Sequence, residues 1–199
     1  MASEESLRKT IESLKNNANI NAILVKNGKE ALAKVKELIP EDSEVMAMTS
    51  ITLDSLGIGK LINESGKYNS VRNKLNSMDR KTQSSEMQKL GAAPEYAIGS
   101  VHAVTEDGKV IIASNTGSQL PAYVYGSSNV IWVVGTQKIV KNLDEGINRV
   151  YEHSLPMESE RAKKVYGVSG SFVSKILIFN KEPKEGRVTL IFVPEVIGY

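Results

Sequence analysis

The run Val130-Ile131-Trp132-Val133-Val134 constrains this chain more than any other stretch. Five successive apolar side chains leave no polar face. A strand of that kind is buried on both sides, the position of an inner strand in a parallel sheet covered by other layers. Parallel strands need crossover connections, and the neighbouring sequence supplies them. Leu7, Ile11 and Leu14 recur at helical spacing behind Ser3, Glu4 and Glu5, which offer a cap and first-turn acids, and Asn16-Asn17 closes that helix. Ile20–Lys26 is a short β-type run, and Asn27-Gly28 is a turn. Lys29–Ile39 is a second amphipathic helix, stopped by Pro40-Glu41-Asp42, and Glu44–Met48 is the next strand.

The β-α-β rhythm returns later. Glu95–Gly99 reads as a strand, and Lys109–Ala113 as another behind the turn Glu106-Asp107-Gly108. Gln119–Tyr125 has a helical pattern with Pro121 in its first turn. Leu143, Ile147, Val150 and Tyr151 mark a further helix, with His153 near its end as a partner for the helix dipole. Lys175–Phe179 and Arg187–Val193 are closing strands, joined by the turn Glu182-Pro183-Lys184-Glu185-Gly186. No repeat or low-complexity linker interrupts the order. These elements predict one α/β domain over residues 1–199, with a mainly parallel sheet, an N-terminal helix within 1–17 and a mostly helical basic segment over 60–92. Between residues 60 and 89 there are seven basic and three acidic side chains. That segment is either solvated helix surface or a lid that draws in an anion.

Composition removes several functions. The chain has no cysteine, which excludes disulfide scaffolds, thiolate nucleophiles, Cys-ligated zinc and protein-held iron–sulfur clusters. Its two histidines lie far apart in sequence, so no metal site or cofactor is expected. Lys and Arg total 25 against 23 Asp and Glu, a balance that argues against nucleic-acid coating. No apolar run approaches the ~20 residues of a membrane span. The start MASEESLRKT is polar and acidic where a signal peptide is basic and then apolar, so a cytoplasmic location is expected.

Ligands of open α/β sheets gather outside the carboxyl ends of the strands, so the loops after strands carry the search. Thr49-Ser50-Ile51-Thr52-Leu53-Asp54 follows a strand and leads into a helix. Thr49, Ser50 and Thr52 suit an anion there, although Ser and Thr are also ordinary N-caps. Ser114-Asn115-Thr116-Gly117-Ser118-Gln119 repeats the pattern, with Asn115, Thr116, Ser118 and Gln119 as donors and Gly117 allowing close backbone approach. Two such loops are expected to open on one edge of one sheet. Gly135-Thr136-Gln137-Lys138 follows the central strand. Gly135 is a candidate ligand contact, and Lys138 is either a counter-charge for an anion or a surface lysine. His102 is a candidate general base, or a hydrogen-bonded structural residue. Arg161 sits in the charged run 158–164, which reads as an exposed salt-bridged helix.

Other signatures are missing. Gly57-Ile58-Gly59 is followed by Ile62 where a dinucleotide fingerprint places its third glycine, and no Walker A sequence is present. Gly167-Val168-Ser169-Gly170-Ser171 lacks the second glycine of a nucleophile elbow.

GSVHAVTEDGKVIIASNTGSQ (residues 99–119), VIWVVGTQKIV (130–140) and LDEGINRVYEHSLPMESERAKKVYG (143–167) together resemble the lactate-utilisation (LUD) domain family, and TSITLDSLG (49–57) resembles its first Ser/Thr loop. The resemblance implies a three-layer fold similar to glucosamine-6-phosphate deaminase, ribose-5-phosphate isomerase and CoA-transferases. It also implies an accessory role near L-lactate oxidation beside iron–sulfur partner subunits. Many members of the family carry Gly-Asn-Arg where this chain has Gly117-Ser118-Gln119, and the isomerases of the superfold place an acid where His102 falls. Three functions stay open at this stage. One is a binder of a small anionic metabolite without its own redox centre. Another is a free-standing sugar-phosphate isomerase or acyl-CoA-handling enzyme in which His102 moves a proton and Lys138 holds a phosphate. The third is a non-catalytic regulatory module. Homo-oligomerisation is left open too.

Overall fold

The computed structural model describes residues 1–199. Helix α1 (Glu4–Asn16) is capped by Ser3, whose hydroxyl accepts from the Ser6 N–H. Strand β1 (Asn21–Leu24) and helix α2 (Gly28–Leu38) follow, the helix capped by Asn27. Then come β2 (Glu44–Ala47), α3 (Ile51–Ser55), α4 (Ile58–Glu64), β3 (Asn69–Ser70), α5 (Val71–Asn76) and α6 (Ser84–Ala92). The basic segment is thus mostly helical. The second half runs β4 (Tyr96–Gly99), β5 (Ala103–Thr105), β6 (Val110–Ser114), β7 (Asn129–Gly135), β8 (Ile139–Val140), α7 (Leu143–Arg149), α8 (Leu155–Tyr166), β9 (Lys175–Phe179) and β10 (Val188–Val193).

Six strands form one sheet in the order β1-β10-β7-β4-β2-β3, every pair parallel. The expected inner strand, β7, lies between β10 and β4. Its side chains alternate between two cores. Val130, Trp132 and Val134 point to one side with Leu190 and Phe192 of β10, and Ile131 and Val133 point to the other with Ile191 and Val193. On the second side α2, α3 and α4 bring Ala31, Val35, Leu53, Ile58 and Ile62. On the first side Trp132 stands edge-on to Tyr123 and Phe179, with ring centroids 5.6 and 5.3 Å away. Edge-to-face contacts of this kind add about 0.5–1.5 kcal/mol to the burial itself.

The third layer holds a feature that the strand pattern does not announce. Strands β8-β5-β6-β9 form a second, mixed sheet, packed under the first through Val104, Val110, Ile112 and Phe179. Its other face, with Ala103, Ile111 and Ala113, meets Val150 and the α7 side. The closing strands β9 and β10 therefore lie in different sheets.

The two expected helices at 119–125 and 143–154 both contain a π turn. In the first, the Ser127 N–H reaches back to the Ala122 carbonyl at 3.2 Å over residues Ala122–Gly126. In the second, residues Val150–Ser154 widen the helix between α7 and α8, so His153 sits at an internal bulge and not near a helix end. Arg187, buried, locks the first turn. It donates to the carbonyls of Ser127, Ala122 and Tyr123 at 2.8–3.2 Å and pairs with buried Glu182 at 2.6 Å. Gly99 is required beneath it, because a Cβ there would stand 1.8 Å from the Tyr123 hydroxyl.

Candidate functional site

The carboxyl ends of β2, β4 and β7 open on a cleft of about 620 Å³. Strand β6 belongs to the other sheet, so the loops 49–54 and 114–119 do not share a sheet edge, yet they face each other across this cleft. Thr49, Ser50, Thr52, His102, Asn115, Thr116, Ser118, Gln119 and Lys138 all line it. Gly117 and Gly135 do not. Gly117 takes φ +85°, a left-handed turn conformation that favours glycine, and a Cβ there would meet the Lys175 side chain at 2.7 Å. Gly135 packs against the chain end, where a Cβ would stand 2.6 Å from the Glu195 carbonyl oxygen.

Most of the loop hydroxyls are already engaged. Ser50 caps α3, accepting from the Leu53 N–H at 3.4 Å. Ser114 Oγ accepts from the Gly117 N–H at 2.8 Å and donates to Gln119 Oε1 at 3.0 Å. Thr116 and Ser118 bond each other at 3.1 Å. These bonds shape the walls and leave the exposed faces of Thr49, Asn115 and Thr116 toward the opening.

Lys138 is the residue whose position departs most from a surface lysine. It is 1% exposed. Its Nζ donates to Thr52 Oγ1 at 3.2 Å, Ser100 Oγ at 3.1 Å and the Val101 carbonyl at 3.1 Å. It has no carboxylate partner. Burial, and then the Arg149 guanidinium, lower its pKa to about 7. Arg149 also lacks a carboxylate and donates to the His102 carbonyl at 2.8 Å and Ser154 Oγ at 3.1 Å.

His102 differs from the expected base. Its Nδ1 accepts the Ala113 backbone N–H at 3.1 Å, which leaves the proton on Nε2. Burial first, then Lys138 and Arg149, push its pKa down to about 3, while Glu158 opposes them. Neutral imidazole with Nε2–H is a hydrogen-bond donor near neutral pH.

Further charges come from outside the predicted set. Arg72 of α5 donates to the Ala47 carbonyl at 3.0 Å and is in no ion pair, and burial lowers its pKa. Arg80 lines the opening. Both belong to the basic segment, one of whose two readings was a lid for an anion. The single acid in the cleft, Glu158 of α8, is gripped by Arg161 through two bonds of 2.7 Å and by the Tyr199 hydroxyl at 2.5 Å. Those contacts hold its carboxyl below the usual range against the opposing effect of burial. Arg161 is thus a partly buried wall residue stacked 5.2 Å from the Tyr166 ring centroid. The phenol of Tyr123, nearly fully buried, stands at the cleft floor. Val168 and Phe172, both exposed, form part of an apolar rim.

Ser100, Arg72, Arg80, Arg149, Tyr123 and Glu158 were not singled out from sequence as contributors to this site. Ser100 was open to the same rule that found Thr49, since it follows β4 directly. Arg72 and Arg149 sit on helices and Arg80 in the turn between α5 and α6, none of them in a motif. No group of three or more His, Asp or Glu side chains is arranged to hold a metal ion, and no helix is long and apolar enough to cross a membrane.

Comparison with known proteins agrees with the architecture. The LUD domain model matches residues 7–193. No curated protein matches. A solved structure, a DUF162 family protein from Deinococcus radiodurans, superposes with a TM-score of 0.58 at 12% identity, covering 97% of this chain and 98% of that one. At that identity the likeness speaks for the fold alone.

Proposed function

This chain belongs to the LUD domain family, and from that premise we propose that it binds a small anionic metabolite in the cleft at the ends of β2, β4 and β7. The observation that carries the reading is unbalanced charge. Arg72, Arg80 and Lys138 line the cleft without a carboxylate partner, while the one acid there is already paired with Arg161. Arg72 is half-buried and Lys138 buried, and holding a cation there without a counter-charge is costly; a bound anion offsets that cost for Arg72 and for the protonated form of Lys138, while exposed Arg80 adds attraction at the opening. The family is associated with lactate utilisation, so hydroxy-, keto- and phosphorylated short-chain acids are the ligands to try. Lacking cysteine, the chain has no thiolate to ligate an iron–sulfur cluster, so in lactate oxidation it acts as an accessory to iron–sulfur subunits that carry the electrons.

Calorimetric titration with L-lactate, pyruvate and phosphoglycolate tests this reading. At least one is expected to bind, with affinity that falls with added salt. The double variant Arg72→Gln with Thr116→Ala is expected to lose about tenfold or more, the equivalent of ~1.4 kcal/mol. No heat from any of the three acids, or affinity unchanged in the double variant, would overturn it.

A further inference from the structure

We propose that Ser100 and Lys138 form a nucleophile–base dyad for acyl transfer, acting on an ester or thioester with an anionic acid portion. The preference for an anionic acid portion rests on the cleft reading above; the dyad itself rests on a count of hydrogens around one nitrogen. A protonated lysine has three N–H bonds, and a neutral one has two and a lone pair. Lys138 Nζ has three neighbours. The Val101 carbonyl can only accept. Thr52 Oγ1 gives its own proton to the Ile197 carbonyl at 3.3 Å, so toward Lys138 it also accepts. Ser100 Oγ makes its one side-chain hydrogen bond to Lys138, and its hydroxyl proton is committed nowhere else. When the amine is neutral, its two N–H bonds go to Val101 and Thr52. The lone pair then faces the Ser100 hydroxyl, the only neighbour able to donate. The shell around Lys138 thus orients a base at a serine.

Ser100 is half-buried and lines the cleft, so its oxygen is reachable from solvent. The amine is available because burial holds much of it neutral near pH 7. Serine activated by an adjacent amine is an established logic for acyl chemistry.

The step balances without an external oxidant or metal. The Ser100 proton passes to Lys138 Nζ as the oxygen forms a bond to the acyl carbon. The bond from that carbon to the leaving oxygen or sulfur breaks, and the leaving group takes the proton from Lys138. Water then gives a proton to Lys138, attacks the acyl carbon, and releases Ser100, which recovers its proton. His102, with its proton on Nε2, lines the same cleft as a donor for the developing oxyanion.

The test is covalent labelling of the full chain with an alkyl fluorophosphonate, which loses fluoride when serine attacks phosphorus. The adduct is mapped by peptide mass spectrometry. We expect it on Ser100, with the rate rising roughly tenfold from pH 6 to pH 8 as the amine loses its proton. The charged and titratable groups around that amine are Arg149 on α7, His102 before β5, and His153 on the π turn, with Glu158 on α8 beyond His102. Of these, His102 is already neutral over that range, while burial, then Arg149 and Lys138, lower the pKa of His153. Ser100→Ala is expected to abolish the adduct, and Lys138→Met, checked for folding by denaturation, to slow it at least a hundredfold. Absence of an adduct on Ser100, labelling unaffected by Ser100→Ala, or a rate flat between pH 6 and 8 would overturn the dyad. Labelling needs no anionic ligand. Failed labelling with intact binding of carboxylic acids therefore removes the dyad alone, and labelling without acid binding removes the cleft reading alone.

Discussion

Replacing Lys138 by methionine is expected to change how stability depends on pH, and by an amount that follows from burial. In the folded chain the amine titrates at about 7, against 10.5 when exposed. Between those values the unfolded chain carries a proton that the folded chain has lost. Stability therefore rises with pH across that window, and the penalty for the buried ammonium is fully present below it. Each pH step is worth about 1.4 kcal/mol. Between pH 6 and pH 9.5 the wild-type chain is thus expected to gain about 3 kcal/mol relative to Lys138→Met, which has nothing to titrate there. The absolute offset between the two proteins is harder to assign. Methionine removes the desolvated charge but leaves the Val101 carbonyl without a donor, a cost of about 1–3 kcal/mol. The slope is free of that term. Urea denaturation of both proteins at several pH values measures it. A gap that stays constant from pH 6 to pH 9.5 would refute the claim that Lys138 is buried and depressed.

Two other perturbations probe the scaffold. His102→Asn is expected to remove an acid-side loss: with the imidazole at about 3 in the folded chain, wild-type stability falls as pH drops below about 6.5, by roughly 3 kcal/mol at pH 4, and the variant loses less over the same range. Thermal unfolding across that range checks it. Arg187→Ala strands the Glu182 carboxylate in the core and frees three carbonyls of the first π turn, so unfolding is expected to become about 3–5 kcal/mol easier; a variant as stable as wild type by denaturant melt would contradict the role given to that pair.

The main sheet was legible because its inner strands are buried on both faces, and that requirement writes itself as unbroken apolar runs such as 130–134. The second sheet was not. Strand β5 has three residues and β8 has two, too few for any period to show. The π turns escaped for a related reason: one widened turn inside a helix leaves the surrounding apolar spacing nearly intact. The three candidate loops were picked out by their place after strands, and each lends side chains to one cleft, though Gly117 and Gly135 stay out of it. What sequence could not give was the fate of Lys138. Thr-Gln-Lys after a strand reads as a polar turn, and the groups that bury and hold the amine lie at Thr52, Ser100 and Val101, far from it along the chain.

That distance has a mechanical side. Lys138 leads directly into β8 of the smaller sheet, while Thr52, Ser100 and Val101 follow strands of the larger one. One buried side chain therefore clasps the two sheets together beside the cleft, through bonds that form only after segments from three parts of the chain have docked. A shear between the sheets would pull on the same nitrogen that faces Ser100. Any change at this position alters the joint and the proposed chemistry in one stroke, so the proposed base and the structural pin cannot be tuned apart.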